Sequence, residues 1–260
     1  MLQVWKSPAP TRAATADRAR ESSRRVLRGV SKAAAPLLVP LAARRLRRAH
    51  GGDPVELVFG FGFGGIGIAP MQEPSELRAL LELLAQHPPR VVLEIGTARG
   101  GTLCAFARVA AEDALLVSVD LPGGAFGGGY PRWRAPLYRA FARKGQRVEL
   151  LRGDSHAEET LERVREVLGG RPVDFLFVDV DHSYEGVRRD VELYRPLLRE
   201  GAVVALHDIV PQGVNTPGGP EYLVGGVPDY WRELRAGHAI TRELVADWSQ
   251  GRFGIGVVHT

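Results

Sequence analysis

The sequence predicts an α/β fold, a doubly wound and mostly parallel sheet, from three observations. Strand-length apolar runs at Val91–Leu93, Leu115–Val119, Arg147–Leu151, Val173–Val178 and Gly201–Leu206 alternate with segments of helical period. The first run passes through a glycine turn into a helix and a second strand between Val91 and Asp120, which is the length of a βαβ unit. Carboxylates close these runs. Glu94, Asp120, Asp154, Asp179 and Asp208 all fall at or just past strand C-termini, where open α/β sheets bind ligands.

The Val91–Asp120 stretch, VVLEIGTARGGTLCAFARVAAEDALLVSVD, carries the most information. Gly96, Gly100 and Gly101 let the chain turn tightly and bring bare N–H groups against a ligand. The following helix places Leu103, Phe106, Ala107 and Ala110 on one side. Dinucleotide turns read G-x-G-x-x-G and seat a pyrophosphate. Here the spelling is E-x-G-x-x-x-G, and an acid ahead of the glycines repels phosphate but suits an ammonium, held directly or through water. Asp120 can accept both hydroxyls of a ribose. At these residues the sequence resembles the class I S-adenosylmethionine-dependent methyltransferases. That resemblance implies a Rossmann-like sheet of seven strands closed by an antiparallel C-terminal hairpin. It also implies a cofactor site using Glu94, Gly96, Thr97, Gly100, Asp120 and Asp179, with Asp154 in GDSH facing the adenine.

Composition bounds the rest. One α/β domain with an N-terminal extension is the default at 260 residues. The lone Cys104 rules out an internal disulfide and points to a reducing, cytoplasmic setting. The net charge of +4 is uneven: residues 1–50 hold 12 basic and 2 acidic residues, so the remainder, with 22 and 28, is acidic. We therefore divide the chain into a basic, partly disordered arm (1–50), an N-terminal cap (51–88) and a methyltransferase domain (89–260). The arm could form a weakly amphipathic helix over 11–35 and touch an anionic membrane surface or a partner. Its apolar stretch from Ala33 to Ala43 is too short to span a bilayer and is interrupted by Pro36 and Pro40. An acidic body argues against nucleic acid as substrate.

In the cap, Asp53 should cap a helical turn, FGFGGIGI reads as a flexible loop, and Ser75 is the expected N-cap of a helix over Glu76–Gln86. That loop could fold over the cofactor, with Gln72 offering hydrogen bonds. After Asp120, the segment LPGGAFGGGYPRWRAP combines glycines with Phe126, Tyr130 and Trp133, as a lid would. His156 is expected to cap or cover the next helix. A glycine- and proline-rich loop from Pro211 to Pro228, with Asn215, Glu221 and Tyr222, starts at the same face and could bind substrate.

Asp179 and Asp208 end neighbouring strands and should converge near the methyl donor. Two carboxylates completed by water make a reasonable Mg²⁺ site, and His182 is placed to take a hydroxyl proton. Asp181 is expected to cap the helix near Ser183. The stretch FVDVDHSYEGVRRDVELYRPLLREGAVVALHD, with EIGTARGGT and GDSH, resembles the group containing cephalosporin-hydroxylase-like proteins and metal-dependent macrolide-sugar O-methyltransferases. The resemblance implies metal ligands at Asp179, His207 and Asp208, a base at His182, and a sugar-containing small-molecule acceptor. His207 departs from it, since the metal-dependent relatives carry a carboxylate there, and imidazole suits a divalent transition metal better than Mg²⁺. Lys6, Lys32 and Lys144 are the only lysines and fall outside these motifs, which leaves histidine as the base. The expectation is an O-methyltransferase, self-association staying open. The alternatives are a nicotinamide-dependent oxidoreductase and a non-catalytic membrane-tethered scaffold.

Overall fold

A computed structural model describes residues 35–49, 51–123, 129–212 and 225–260. The expected helix over 11–35, Phe126 of the lid, and Asn215, Glu221 and Tyr222 lie outside these residues. Helices α1 (35–48), α2 (Pro54–Gly60) and α3 (Pro74–Gln86) precede the sheet, with a small hairpin of β1 (Gly62–Phe63) and β2 (Ile66–Gly67) between the last two. Then come β3 (Val91–Ile95), α4 (Gly101–Val109), β4 (Leu115–Asp120), α5 (Ala135–Arg139), β5 (Arg147–Arg152), α6 (Glu158–Leu168), β6 (Val173–Val178), α7 (Tyr184–Tyr194), β7 (Leu198–His207), α8 (Val227–Ala236), β8 (Thr241–Leu244) and β9 (Ile255–His259).

The seven-stranded sheet runs β5-β4-β3-β6-β7-β9-β8. Strands β3 to β7 pair in parallel, and β9 pairs antiparallel with both β7 and β8. This is the expected Rossmann-like, doubly wound sheet with its antiparallel end. The strand order reverses direction between β3 and β6, so their C-terminal tips flank the crevice where such sheets bind ligands.

Alternation along the strands builds two cores. Val92, Leu116, Phe175, Phe177 and Ala205 face one way, against α1 to α5, while Leu93, Val117, Leu176 and Val204 face α6 to α8. Phe106 of α4 meets Phe175 and Phe177 edge-on, with ring centroids 5.0 and 5.2 Å apart. The sequence predicted one buried side for α4, yet Gly101 to Ala107 are all buried. The cap explains this. Helices α2 and α3 pack on the outer side of α4, which suits a helix carrying no charge before Arg108.

Three local expectations change. The glycine-rich FGFGGIGI segment is a hairpin, Phe63 pairing with Ile66 around Gly64-Gly65, both at positive φ, as tight hairpin turns require. Buried Ile66 and Ile68 fix it to the core. Helix α3 starts earlier than expected, with Pro74 in its first turn and Glu73, not Ser75, at the N-cap. Helix α1 has Pro36 in its first described turn and Pro40 inside it, where burial of Ala35, Val39, Ala42, Ala43 and Leu46 along one stripe outweighs the missing N–H of Pro40. Its arginines, Arg44, Arg45, Arg47 and Arg48, face solvent. Among the described residues, no helix is long and apolar enough to cross a membrane.

Candidate active site

The glycine turn is built by the sheet ladder running past the strand ends. Gly96 N–H donates to the Val119 carbonyl at 2.9 Å, and Asp179 N–H donates to the Ile95 carbonyl at 2.9 Å. Gly153 N–H reaches the Asp120 carbonyl at 3.1 Å. Gly96, Asp120, Asp154 and Asp179 therefore lie side by side across the tips of four strands. Gly96 sits at φ +98°, and a Cβ there would fall 2.0 Å from the Asp179 carbonyl oxygen, so only glycine allows this approach.

Behind the turn runs a buried polar chain. Glu94 is fully buried and accepts from Thr102 Oγ1 at 2.5 Å and from Ser118 Oγ at 3.2 Å. The Thr97 hydroxyl bonds to the same Ser118 hydroxyl. Burial pushes the Glu94 carboxyl up to about 8 against those two hydrogen bonds. Each Glu94 oxygen thus accepts one hydroxyl from behind the turn. Thr97 offers a ligand its main chain, its hydroxyl being spent on the core.

Asp120 is 2% exposed. Its Oδ1 accepts from Gly129 N–H at 3.1 Å, and Oδ2 has no hydrogen-bond partner among the described residues. Burial raises its pKa, against main-chain donors of which Gly129 is the first. Asp154 is exposed at the β5 tip, its Oδ1 holding His156 N–H at 2.9 Å. His156 pairs with Asp190 of α7 at 3.2 Å instead of covering α6, the helix that follows it.

The second constellation gathers at the tips of β6 and β7, where Val178 is in register with Leu206. His182 Nε2 lies 3.8 Å from Asp179 Oδ1 and 3.5 Å from Asp208 Oδ2. His207 Nδ1 lies 3.1 and 3.4 Å from the same two oxygens. Gln72 of the cap donates to Asp179 Oδ2 at 2.7 Å, and Phe253 N–H donates to Asp208 Oδ1 at 3.1 Å. Despite burial, the two imidazoles, His207 foremost, hold Asp179 far below the usual carboxylate range. Burial alone would lower His207, but Asp208 and Asp179 override it and keep the ring protonated well above its ordinary value.

Among the described residues, the group whose ligand atoms lie within 4.8 Å of one another is Asp179, His182 and Asp208. The expected third ligand, His207, is 3% exposed and binds the carboxylates as a donor from inside the sheet. His182 falls within that group, and His207 Nδ1 faces the same two carboxylate oxygens. Asp181 accepts from Ser183 N–H at 2.9 Å in the turn ahead of α7, whose N-cap is Ser183.

Residues 93–209 match the family described as a methyltransferase domain. That stretch, less than half of the chain, resembles a methyltransferase domain and covers the glycine turn and the Asp179–Asp208 constellation. Solved structures agree at the level of the fold. The O-methyltransferase TomG from Streptomyces achromogenes, involved in tomaymycin synthesis and solved with S-adenosylmethionine, shares 22% identity at a TM-score of 0.52 over 84% of this chain and 89% of that one. The O-methyltransferase from Bacillus cereus, solved with S-adenosylhomocysteine, shares 19% identity at a TM-score of 0.50 over 91% and 99%. No curated protein sequence matches the chain.

Two features of the site escaped sequence reasoning. Glu76, on α3, is 2% exposed and accepts from Ala246 N–H, Gln250 Nε2 and Gly254 N–H at 3.0, 2.9 and 2.8 Å. It thereby anchors the β8–β9 loop that supplies Phe253 to Asp208. A signal was present: Glu76 interrupts the stripe that Leu77, Leu80, Leu81 and Leu84 bury, and a carboxylate on a buried face needs donors. Tyr130 is the other. Assigned to a lid, it is buried against Tyr138.

Proposed function

We propose that this protein is a methyltransferase that moves the methyl group of S-adenosylmethionine to a hydroxyl oxygen of a small molecule, a sugar or a glycosylated metabolite. The observation that carries the reading is His182 Nε2 facing Asp179 Oδ1 and Asp208 Oδ2 beside the glycine turn. In this reading the cofactor's amino-acid end lies along the main chain of Gly96, Thr97 and Gly100, supported by Glu94. Its ribose sits on Asp120, its adenine beside Asp154, and its sulfonium points toward Asp179.

His182 accepts the proton of the acceptor hydroxyl as the oxygen attacks the methyl carbon. The new bond is O–CH₃, the broken bond is S–CH₃, and its electron pair stays on sulfur, leaving S-adenosylhomocysteine. The imidazolium so formed is offset by the carboxylates 3.5 and 3.8 Å away. Gln72 and Phe253 hold those carboxylates in place.

Asp179, Asp208 and His182 also fit a divalent cation, and with such an ion His182 would be a ligand in place of a base; a set with an imidazole nitrogen suits a transition metal better than Mg²⁺. Such an ion, when bound, would supply positive charge that acidifies and orients the acceptor hydroxyl. The sugar acceptor is supported by resemblance alone, through the Phe177–Asp208 stretch.

The test is transfer of a labelled methyl group to a panel of glycosides and simple phenols, with and without Mn²⁺ and Mg²⁺. Label on a glycoside hydroxyl supports the reading. Label on phenols alone keeps O-methyl transfer and removes the sugar. Binding of NADH in place of S-adenosylhomocysteine overturns the reading.

A further inference from the structure

Tyr130 lies ten residues beyond Asp120 and is 2% exposed. Its ring meets Tyr138 edge-on at 4.7 Å, and the Arg152 guanidinium lies over its face, 5.0 Å from the centroid. Tyr138 donates its hydroxyl to the Ala98 carbonyl in the glycine turn at 2.9 Å. Tyr130 is therefore fixed beside the turn and the β4 tip by packing on both sides.

Its hydroxyl, however, is buried and makes no hydrogen bond among the described residues. The same is true of Oδ2 of Asp120, buried to the same degree. Leaving such a group unpaired is costly, and Gly129, the residue before Tyr130, already bonds Asp120, so the two groups share one neighbourhood. Burial first and then the Asp120 charge push the Tyr130 phenol up to about 12, so it is a donor throughout the physiological range. Asp120 Oδ2 is an acceptor. One group satisfies both at once: a hydroxyl that gives its proton to the carboxylate and takes one from the phenol. With Asp120 Oδ1 already accepting from Gly129, a second anchor beside the carboxylate strengthens the hold on a vicinal diol.

We propose that Tyr130 is a ribose-binding residue of the cofactor site, donating its hydroxyl to the sugar hydroxyl that Asp120 Oδ2 accepts from. This assignment rests on the S-adenosylmethionine reading above and adds a contact to it. It also assigns Gly129-Tyr130 to the wall of the nucleoside pocket.

The experiment compares wild type, Tyr130→Phe and Asp120→Ala by calorimetric titration with S-adenosylhomocysteine and with 5′-methylthioadenosine, which keeps the ribose and lacks the amino-acid end. Tyr130→Phe preserves the ring packing and deletes one oxygen. Its affinity for both ligands should fall on the order of ten-fold, while its ligand-free melting temperature stays level or rises, because an unpaired buried hydroxyl has been removed. Unchanged affinity in Tyr130→Phe, with binding lost in Asp120→Ala, overturns the proposal and leaves the cofactor reading standing. Loss with S-adenosylhomocysteine but not with methylthioadenosine also overturns it, placing the contact at the amino-acid end. A lower ligand-free melting temperature shows the hydroxyl already bonded within the fold, and overturns the proposal as well. Failure of wild type to bind either ligand removes the cofactor reading and the proposal together.

Discussion

Gln72 donates its side-chain amide to Asp179 Oδ2 at 2.7 Å, joining the N-terminal cap to the catalytic face across 107 positions of sequence. The cap is therefore part of the site. Four residues later Glu76 anchors the β8–β9 loop, whose Phe253 N–H sets Asp208. One short segment thus orients both carboxylates that face His182.

Replacing Gln72 by Ala should lower methyl transfer about ten-fold or more, since a freed carboxylate can swing out of line with His182. The melting temperature should move little, because Asp179 keeps its imidazole partners. Paired measurement of turnover and thermal unfolding checks the split.

Glu76→Ala removes three acceptor contacts from a buried loop anchor, at a cost of about 2–5 kcal/mol. Denaturant unfolding reads it directly. Hydrogen exchange should show loss of protection at Ala246, Gly254 and Phe253 ahead of the parallel strands.

Glu94 gives a pH dependence of defined sign. Its carboxyl, ordinarily near 4.5, is raised to about 8 in the fold. Between those values the folded chain keeps a proton that the unfolded chain gives up, so stability falls as pH rises through this window. Glu94→Gln cannot ionise and should flatten the fall, gaining about 3–5 kcal/mol at pH 9 relative to its position at pH 4. Urea midpoints across that range test it, and an unchanged slope would contradict the raised value.

His182→Ala should cut methyl transfer by about 10²–10⁴-fold, the contribution of a positioned proton acceptor. Affinity for S-adenosylhomocysteine should be nearly unchanged. Equal loss of both would make His182 a structural residue.

Much of this was legible in the sequence for a physical reason. Strands buried on both faces read as plain apolar runs, and a glycine turn with acids at the following tips has few other uses, so the sheet and the placement of Asp120, Asp179, His182 and Asp208 followed. What failed to read was partnership. That Thr102 and Ser118 would each donate to a Glu94 oxygen, that His207 would act as a donor inside the sheet, and that Glu76 would reach a loop 170 residues away all depend on side-chain directions that spacing does not encode. Glycine content misled once: FGFGGIGI looked mobile, while buried Ile66 and Ile68 pin it to the core.

The most direct measurement is a calorimetric titration of the wild-type protein with S-adenosylhomocysteine, set beside NADH and repeated with Asp120→Ala. The account predicts saturable, one-site binding of S-adenosylhomocysteine that Asp120→Ala abolishes, and no heat from NADH. Saturable NADH binding with none of S-adenosylhomocysteine would contradict it.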